Sequence, residues 1–252
     1  MRSRWSIYFL LVFFSVIIVS LTLSPVGQTQ SRQADDDDEE ALNQPPPDGV
    51  ELRVFIHRPR VLKPRQLGTC VPTASDSDHF EFTPWHLSGP ITWSLNRATV
   101  PSTVAGSVDG ILNEAAAQWS SGVFSQGADN RAKGARLDNI NAILFKPLGR
   151  STIGVTFVWY SRSSGAVVEV DTLFNKRHPW AIFDSSPECH GSPNAYDFQN
   201  IATHEFGHWI GLEDLYDDAD KDLTMFGFSA GGEVKKRTLQ TGDAIGGSEL
   251  LP

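Results

Sequence analysis

The feature that most constrains this chain is a short run, HEFGHWIGLED, which begins at His204. On an α-helix, residues four positions apart share a face, so His204 and His208 can direct their imidazoles at one metal ion. Glu205 lies beside the first histidine, where a carboxylate acts on a water at the metal rather than binding the metal itself. Gly211 can adopt a left-handed conformation that ends the helix and turns the chain, which brings Asp214 round as a third ligand. The run therefore predicts a zinc site with three protein ligands and one open position.

Two alternatives apply to this run. The two histidines could belong to a buried helix in which hydrogen bonds satisfy them. Glu213 could replace Asp214 as the third ligand, although the spacing favours Asp214. With either acid, an anionic ligand in place of a neutral imidazole lowers the net charge of the metal site, which makes the zinc a weaker Lewis acid.

The run resembles the extended zinc signature of the metzincin metallopeptidases, His-Glu-x-x-His-x-x-Gly-x-x-His/Asp, in its less common aspartate form. The resemblance runs from Trp85 to the C-terminus and includes the segments Pro90–Asn96, Val170–Asn175 and Lys236–Asp243. It implies an α+β, matrixin-like domain with a mixed, mostly parallel twisted sheet of about four to five strands. An N-terminal helix, a zinc-binding helix and a C-terminal helix are also implied, with Met225 in a methionine turn beneath the site. A thioether there fills an apolar floor without competing for the metal.

The activity implied by the resemblance is hydrolysis of peptide bonds in extracellular proteins, with one catalytic Zn²⁺ and with Glu205 as general base. A protein or peptide substrate is expected to bind as an extra antiparallel strand along a sheet edge, and the family arrangement makes Gly165–Asn175 the candidate edge. Trp209 and Ile210 point away from the ligands and are expected in the core. Two other functions stay open: a non-enzymatic surface or adhesion protein with structural zinc, and hydrolysis of a non-peptide amide.

The N-terminal sequence predicts export. Arg2 and Arg4 precede an uncharged apolar stretch from Trp5 to Leu23. Such a pattern is typical of a secretory signal, and its length is also near the lower limit for a membrane span. Residues 1–27 are therefore interpreted as a signal peptide or as an N-terminal membrane anchor. The body of the chain is expected to be secreted, or held at the outer face of the membrane by this segment alone.

Composition divides the rest of the chain. The net charge is −9, but six of the acids form one run, Asp35–Glu40, and no basic patch suggests nucleic acid. Residues 28–50 combine this run with a triple proline and are predicted to be a disordered linker. Residues 51–84 are interpreted as an N-terminal extension or pro-segment with a short strand at Val54–Ile56. Residues 85–252 are interpreted as the catalytic domain, acting as a monomer.

The chain has two cysteines, Cys70 and Cys189. In an exported protein an even count favours a disulfide between them. The alternative is that Cys70 caps the zinc, as a cysteine does in matrixin proenzymes, although the surrounding sequence GTCVP matches that motif poorly.

The spacing of apolar residues predicts the elements around the site. Strands are expected at residues 90–96, 142–145, 153–160 and 165–175. An amphipathic helix is expected after an N-cap at Ser102, and Asp197 is expected to cap the zinc helix. A last helix is expected at Asp243–Leu250.

Four further acids follow the zinc run closely: Asp217, Asp218, Asp220 and Asp222. They are interpreted as a solvated loop, with a Ca²⁺ site as the alternative, because the glycine of an EF-hand loop is missing. The remaining histidines show no ligand spacing, so no second metal site is predicted from His57, His79, His86, His178 and His190.

Overall fold

The structure is a computed structural model, and it describes residues 45–60, 77–183 and 192–251. The predicted signal or anchor, most of the predicted linker, and both Cys70 and Cys189 lie outside these residues. No helix within the described ranges has both the length and the apolar composition that crossing a bilayer requires.

A sheet of seven strands dominates the described part of the chain. Numbered along the chain, its strands are β1 Val50–Pro59, β2 Ile91–Leu95, β3 Phe124–Gln126, β4 Ala142–Lys146, β5 Gly154–Ser161, β6 Val167–Asn175 and β9 Phe228–Ser229. Two further strands, β7 Trp180–Ala181 and β8 Tyr196–Asp197, pair in parallel as a small second sheet. The order in the large sheet is β3–β2–β4–β6–β5–β1–β9.

The large sheet is mixed and mostly parallel. Neighbouring strands run parallel from β3 to β6 and again between β1 and β9, whereas β5 is antiparallel to both of its neighbours. Together with the α-helices, this pattern confirms the predicted α+β class. The expected four to five strands were too few, because the short strands β3 and β9 and the whole of β1 join the sheet.

The four strands predicted from periodicity are present as β2, β4, β5 and β6. All but one position of β5 is buried, because layers of side chains cover both of its faces. This double burial explains why residues 153–160 read as an almost continuous apolar run rather than an alternating one.

The helices of the described residues are α1 Val108–Trp119, α2 Phe198–Ile210 and α3 Thr241–Leu250. The predicted N-cap at Ser102 was wrong, since the helix begins after Ser107. The amides of Val104 and Ala105 both bond to the carbonyl of Pro101, so a turn precedes the helix. The predicted cap at Asp197 is confirmed, because its carboxylate accepts the Asn200 amide at 2.9 Å.

The main hydrophobic cluster lies between one face of the sheet and the helices α1 and α2. Helix α2 is buried along its whole length, including its polar side chains. Trp209 and Ile210 are fully buried in this cluster, as predicted. A smaller cluster around Phe157 and Leu173 covers the opposite face of the sheet. The helix that carries the zinc run is thus a central core element.

The domain boundary predicted at residue 85 does not divide the fold. Strand β1 pairs with β5 from Val50 opposite Ser161 to His57 opposite Gly154, and its last residues pair with β9. Further on, the Thr83 amide donates to the carbonyl of Gly211 at 2.9 Å. The described residues of the 51–84 segment therefore belong to the same sheet and core as the rest.

The predicted substrate edge at Gly165–Asn175 is also wrong. Within this segment, β6 pairs with β4 on one side through Thr172–Asn175 and with β5 on the other. Its N-terminal half is flanked by the chain before β4, where the Val170 amide donates to the Asn141 side chain at 2.9 Å. An extended peptide cannot add to a strand that is flanked on both sides.

Candidate metal centre

Helix α2 places His204 and His208 one turn apart on the same face. Nδ1 of His204 lies 2.7 Å from the carbonyl of Thr224, and Nδ1 of His208 lies 2.9 Å from the carbonyl of Leu212. A carbonyl can only accept, so each Nδ1 carries the proton and donates it. The two Nε2 atoms, 3.2 Å apart, therefore face each other with free lone pairs. Such backbone contacts orient metal-binding imidazoles in other proteins.

The turn after α2 brings Asp214 to the same point. Gly211 has φ 115°, and a Cβ at this position would lie 2.7 Å from the carbonyl oxygen of Trp85. Oδ1 of Asp214 lies 3.2 Å from Nε2 of His204 and 3.6 Å from Nε2 of His208. The neighbouring acid, Glu213, instead pairs with Arg53 at 2.6 Å. Of the two acids, Asp214 is thus the one that joins the histidines.

The three atoms fit a metal ion. In tetrahedral zinc sites with bonds of about 2.0–2.1 Å, neighbouring ligand atoms lie about 3.3 Å apart. The separations of 3.2, 3.2 and 3.6 Å bracket that value. Oδ1 of Asp214 is buried and has no hydrogen-bond partner among the described residues. Three lone pairs converging without a proton between them repel one another unless a cation lies between them.

The protonation states of the three residues suit metal binding. Burial lowers the pKa of His208 to about 3, and burial also lowers the pKa of His204 well below its usual value. Both imidazoles are therefore neutral near pH 7, which is the form that binds a metal. Burial raises the pKa of Asp214, against the attraction of His208. A buried carboxylate of this kind is stabilised in its ionised form by a nearby cation.

Glu205 lies beside the three atoms but does not join them. Its Oε2 accepts a hydrogen bond from the Thr156 hydroxyl at 2.6 Å, whereas Oε1 is buried and has no partner among the described residues. Oε1 faces Gly154, where an added Cβ would approach it to 2.7 Å. Burial raises the pKa of Glu205 to about 8. The carboxyl can therefore take up and release a proton near neutral pH.

Met225 packs against α2, and its role as a methionine turn beneath a metal stays a prediction. A Cβ added at Gly207 would lie 2.2 Å from Sδ of Met225, so the sulfur packs against helix backbone. The segment is held by Asp243, whose carboxylate accepts the amides of Thr224 at 2.6 Å and of Met225 at 3.0 Å. Sequence reasoning missed Gly207, Thr224 and Asp243, because none of them belongs to the ligand spacing.

The structure also brings His57 to the site, which the sequence did not indicate. His57 is 1% exposed, and its ring centroid lies 4.0 Å from that of His204. Its Nε2 lies 2.8 Å from the hydroxyl of Ser229, and its Nδ1 is buried with no partner among the described residues. His57, His204 and Glu205 form a second group whose ligand atoms lie within 4.8 Å of one another. His57 shows no ligand spacing in the sequence, and it is the pairing of its strand that brings it beside His204.

Two further buried residues surround the ligands. Phe55 stacks on the ring of His208, with centroids 3.9 Å apart and an interplanar angle of 18°. Lys236 is fully buried, and its ammonium donates to the carbonyl of Phe226. Burial lowers the pKa of Lys236 to about 8. Both residues exclude water from the site. Lys236 lies in the Lys236–Asp243 segment that carries the resemblance, but the sequence did not place either side chain at the site.

Three of the four acids that follow the zinc run pair with basic side chains. Asp218 pairs with Arg60 at 2.9 Å, Asp220 with His79 at 2.7 Å and Asp222 with Lys235 at 3.2 Å. The groups of metal-ligand atoms found in the described residues do not include these acids. The pairing favours an ion-paired loop, and a Ca²⁺ site here stays a prediction.

Comparison with protein-family models and with curated proteins finds no match to this chain. The functional argument therefore rests on the geometry of the site.

Proposed function

We propose that this chain is a zinc-dependent endopeptidase with a matrixin-like, metzincin catalytic site. The observation that carries the proposal is the convergence of Nε2 of His204, Nε2 of His208 and Oδ1 of Asp214, with the unpartnered Oε1 of Glu205 beside them. Three protein ligands and a nearby carboxylate that is not a ligand are what metal-assisted hydrolysis requires.

His204, His208 and Asp214 would hold the zinc ion. When bound, zinc supplies a water of lowered pKa and polarises the substrate carbonyl. The backbone carbonyls of Thr224 and Leu212 keep the two imidazoles in the tautomer that binds metal. Gly211 and Met225 support the site, one by turning the chain toward Asp214 and the other by packing beneath α2.

Glu205 is the residue to which we assign proton transfer. Its Oε1 takes the proton of the attacking water and later gives that proton to the leaving amine. Thr156 holds the other carboxylate oxygen at 2.6 Å, which fixes the direction of Oε1. Burial of this carboxyl, which is 1% exposed, raises its pKa to about 8, and the charge of a bound metal would favour the ionised form that a general base requires.

The test is a comparison of Glu205→Gln with wild type and with Glu213→Gln. Glu213 is the adjacent acid that pairs with Arg53, so its variant controls for removal of a carboxylate. We expect one zinc per chain in all three proteins, and casein cleavage by Glu205→Gln reduced about 100- to 10,000-fold. Undiminished cleavage by Glu205→Gln would contradict the assigned mechanism. Absence of zinc from wild type would contradict the proposed metal centre.

A second candidate is a non-enzymatic surface protein that uses zinc structurally. The observation that favours it is His57, because its buried ring lies 4.0 Å from that of His204 and leaves little room for the water that hydrolysis requires. Under this alternative, Glu205→Gln would leave the protein's binding activity intact. For either function, the N-terminal sequence supports our proposal of a secreted or surface-anchored location.

A further inference from the structure

We propose that β1 occupies the protein's own substrate edge, and that its His57 blocks the open coordination position of the metal centre. The arrangement described above is then a self-closed form of the enzyme. The inference rests on the proposed function, because it assumes a metal at His204, His208 and Asp214. It assigns the control of that site to one strand of the same chain.

The first step concerns the strand that borders the site. β5 is the strand in contact with Glu205, through the hydroxyl of Thr156 and through Gly154. One side of β5 is paired with β6. An extended peptide that placed its carbonyl beside Glu205 would therefore have to pair with the other side. β1 already occupies that side, antiparallel, from Val50 opposite Ser161 to His57 opposite Gly154.

The second step concerns where β1 directs its side chains. Successive residues of a strand point to opposite faces, so Arg53, Phe55 and His57 share the face toward the site. Phe55 stacks on His208 at 3.9 Å, and Arg53 pairs with Glu213, next to Asp214. The strand thus passes over the metal ligands as a bound peptide would.

The third step concerns His57 itself. Its ring packs edge-on against that of His204, and one of its nitrogens lies within 4.8 Å of the ligand atoms of both His204 and Glu205. Nδ1 of His57 is buried and has no partner among the described residues. We assign the block to this nitrogen, which competes with water for the open coordination position of the metal.

The fourth step concerns how firmly β1 is held. Phe55 and His57 are the only buried residues of this strand, and the others are half-buried. By contrast, seven of the eight residues of β5 are buried. The two residues of β1 that are fully buried are therefore the two whose rings pack against His204 and His208. Displacing β1 exposes less apolar surface than displacing β5, so local opening at this edge costs less free energy.

The experiment uses the full chain with Co²⁺ in place of zinc, as wild type, His57→Phe and Ile56→Ala. Phenylalanine keeps a flat ring of similar size but has no ring nitrogen. Ile56 lies on the opposite face of β1, so its variant controls for a weakened strand. The visible spectrum of each protein is titrated with acetohydroxamate, a small chelating probe of open coordination positions. We expect His57→Phe to bind the probe at least tenfold more tightly than wild type or Ile56→Ala.

A second measurement does not depend on the metal. Hydrogen exchange of the β5 amides that pair with β1 is compared between wild type, Phe55→Ala and Ile56→Ala. We expect exchange at least tenfold faster in Phe55→Ala than in Ile56→Ala, because Phe55 is the anchor on the site side. Equal rates in these two variants would overturn the assignment of β1 as a strand held by the site.

The outcomes separate the two proposals. Equal affinity of wild type and His57→Phe for the probe would overturn the blocking role of His57 and leave the metal centre standing. Failure of wild type to bind Co²⁺ or zinc would overturn the proposed function and the role of His57 together. Tighter probe binding by His57→Phe, with one Co²⁺ per chain in every variant, would support both.

Discussion

The carboxylate of Asp243 fixes the backbone of Thr224, accepting its amide at 2.6 Å, and the Thr224 carbonyl in turn accepts Nδ1 of His204 at 2.7 Å. A residue at the start of α3 therefore orients a proposed metal ligand on α2 through one peptide unit. Asp243 also accepts the amide of Met225, so the same carboxylate supports the floor of the site. The C-terminal segment is in this way part of the proposed metal centre, although it contributes none of the proposed ligands.

Replacement of Asp243 is expected to weaken metal binding without removing a ligand. In Asp243→Asn one carboxylate oxygen is lost, so one of the amides of Thr224 and Met225 loses its charged acceptor. Loss of such outer contacts typically reduces metal affinity about 10- to 100-fold. The measurement is zinc affinity by competition with a chelator. The control is Glu249→Gln, a nearby acid on the same helix. Unchanged affinity in Asp243→Asn would contradict the supporting role.

Replacement of Asp214 tests the third ligand. We expect Asp214→Ala to reduce zinc affinity at least about 100-fold, more than loss of an outer contact. Asp214→His supplies a neutral nitrogen at the same position and is expected to retain zinc. Zinc content after dialysis distinguishes the variants, with Glu213→Ala as the matched control beside it. If Glu213→Ala lost zinc and Asp214→Ala kept it, the ligand assignment would pass to Glu213.

Replacement of Gly211 tests the turn. With φ 115° and the Trp85 carbonyl 2.7 Å from an added Cβ, Gly211→Ala is strained in both backbone and packing. We expect the free energy of unfolding to fall by about 2 kcal/mol or more. Urea denaturation measures it, with Gly122→Ala as the control, since nothing lies within 4 Å of a Cβ there. A loss in Gly211→Ala no larger than in Gly122→Ala would show that the turn tolerates a side chain.

The pair between His79 and Asp220 predicts a pH dependence of stability. The hydrogen bond to Asp220 raises the pKa of His79 above its usual value. The folded state then binds the proton more tightly than the unfolded state, so the stabilisation is complete below about pH 6.5. It is lost as the pH rises through the raised pKa of folded His79.

The check is the difference in free energy of unfolding between wild type and His79→Gln, measured from pH 5.5 to pH 9. We expect the free energy of unfolding of wild type to exceed that of the variant most near pH 5.5. His86→Gln controls for loss of an exposed histidine. A difference that grows toward alkaline pH would have the wrong sign for this pair.

The local parts of the site were accessible from sequence. His204 and His208 share a helical face because of their spacing, and Gly211 turns the chain because few other residues adopt its φ. Asp214 follows at a fixed distance along the chain. These relationships span one helix and one turn, so the identities and order of the residues are sufficient to predict them.

The remaining parts depend on which strands pair. His57 reaches His204 only because β1 pairs with β5 in one register, and a shift by one residue would turn His57 to the other face. The prediction that Gly165–Asn175 is a sheet edge was wrong because it also depends on strand pairing. No feature of that segment shows which strands flank it. The predicted N-cap at Ser102 was wrong because a separate turn begins at Pro101. The residues that favour such a turn also favour the first turn of a helix.

Strand β1 is made long before the strand that it covers. Val50 pairs with Ser161, and β9 comes still later in the chain. Because synthesis proceeds from the N-terminus, β1 leaves the ribosome with no edge to join. It can pair with β5 only after residue 161 has been synthesised, and with β9 only later still. Pairing across so long a stretch of chain is slow. Each new molecule therefore passes through a period in which Phe55 and His57, the buried residues of β1, are exposed to solvent.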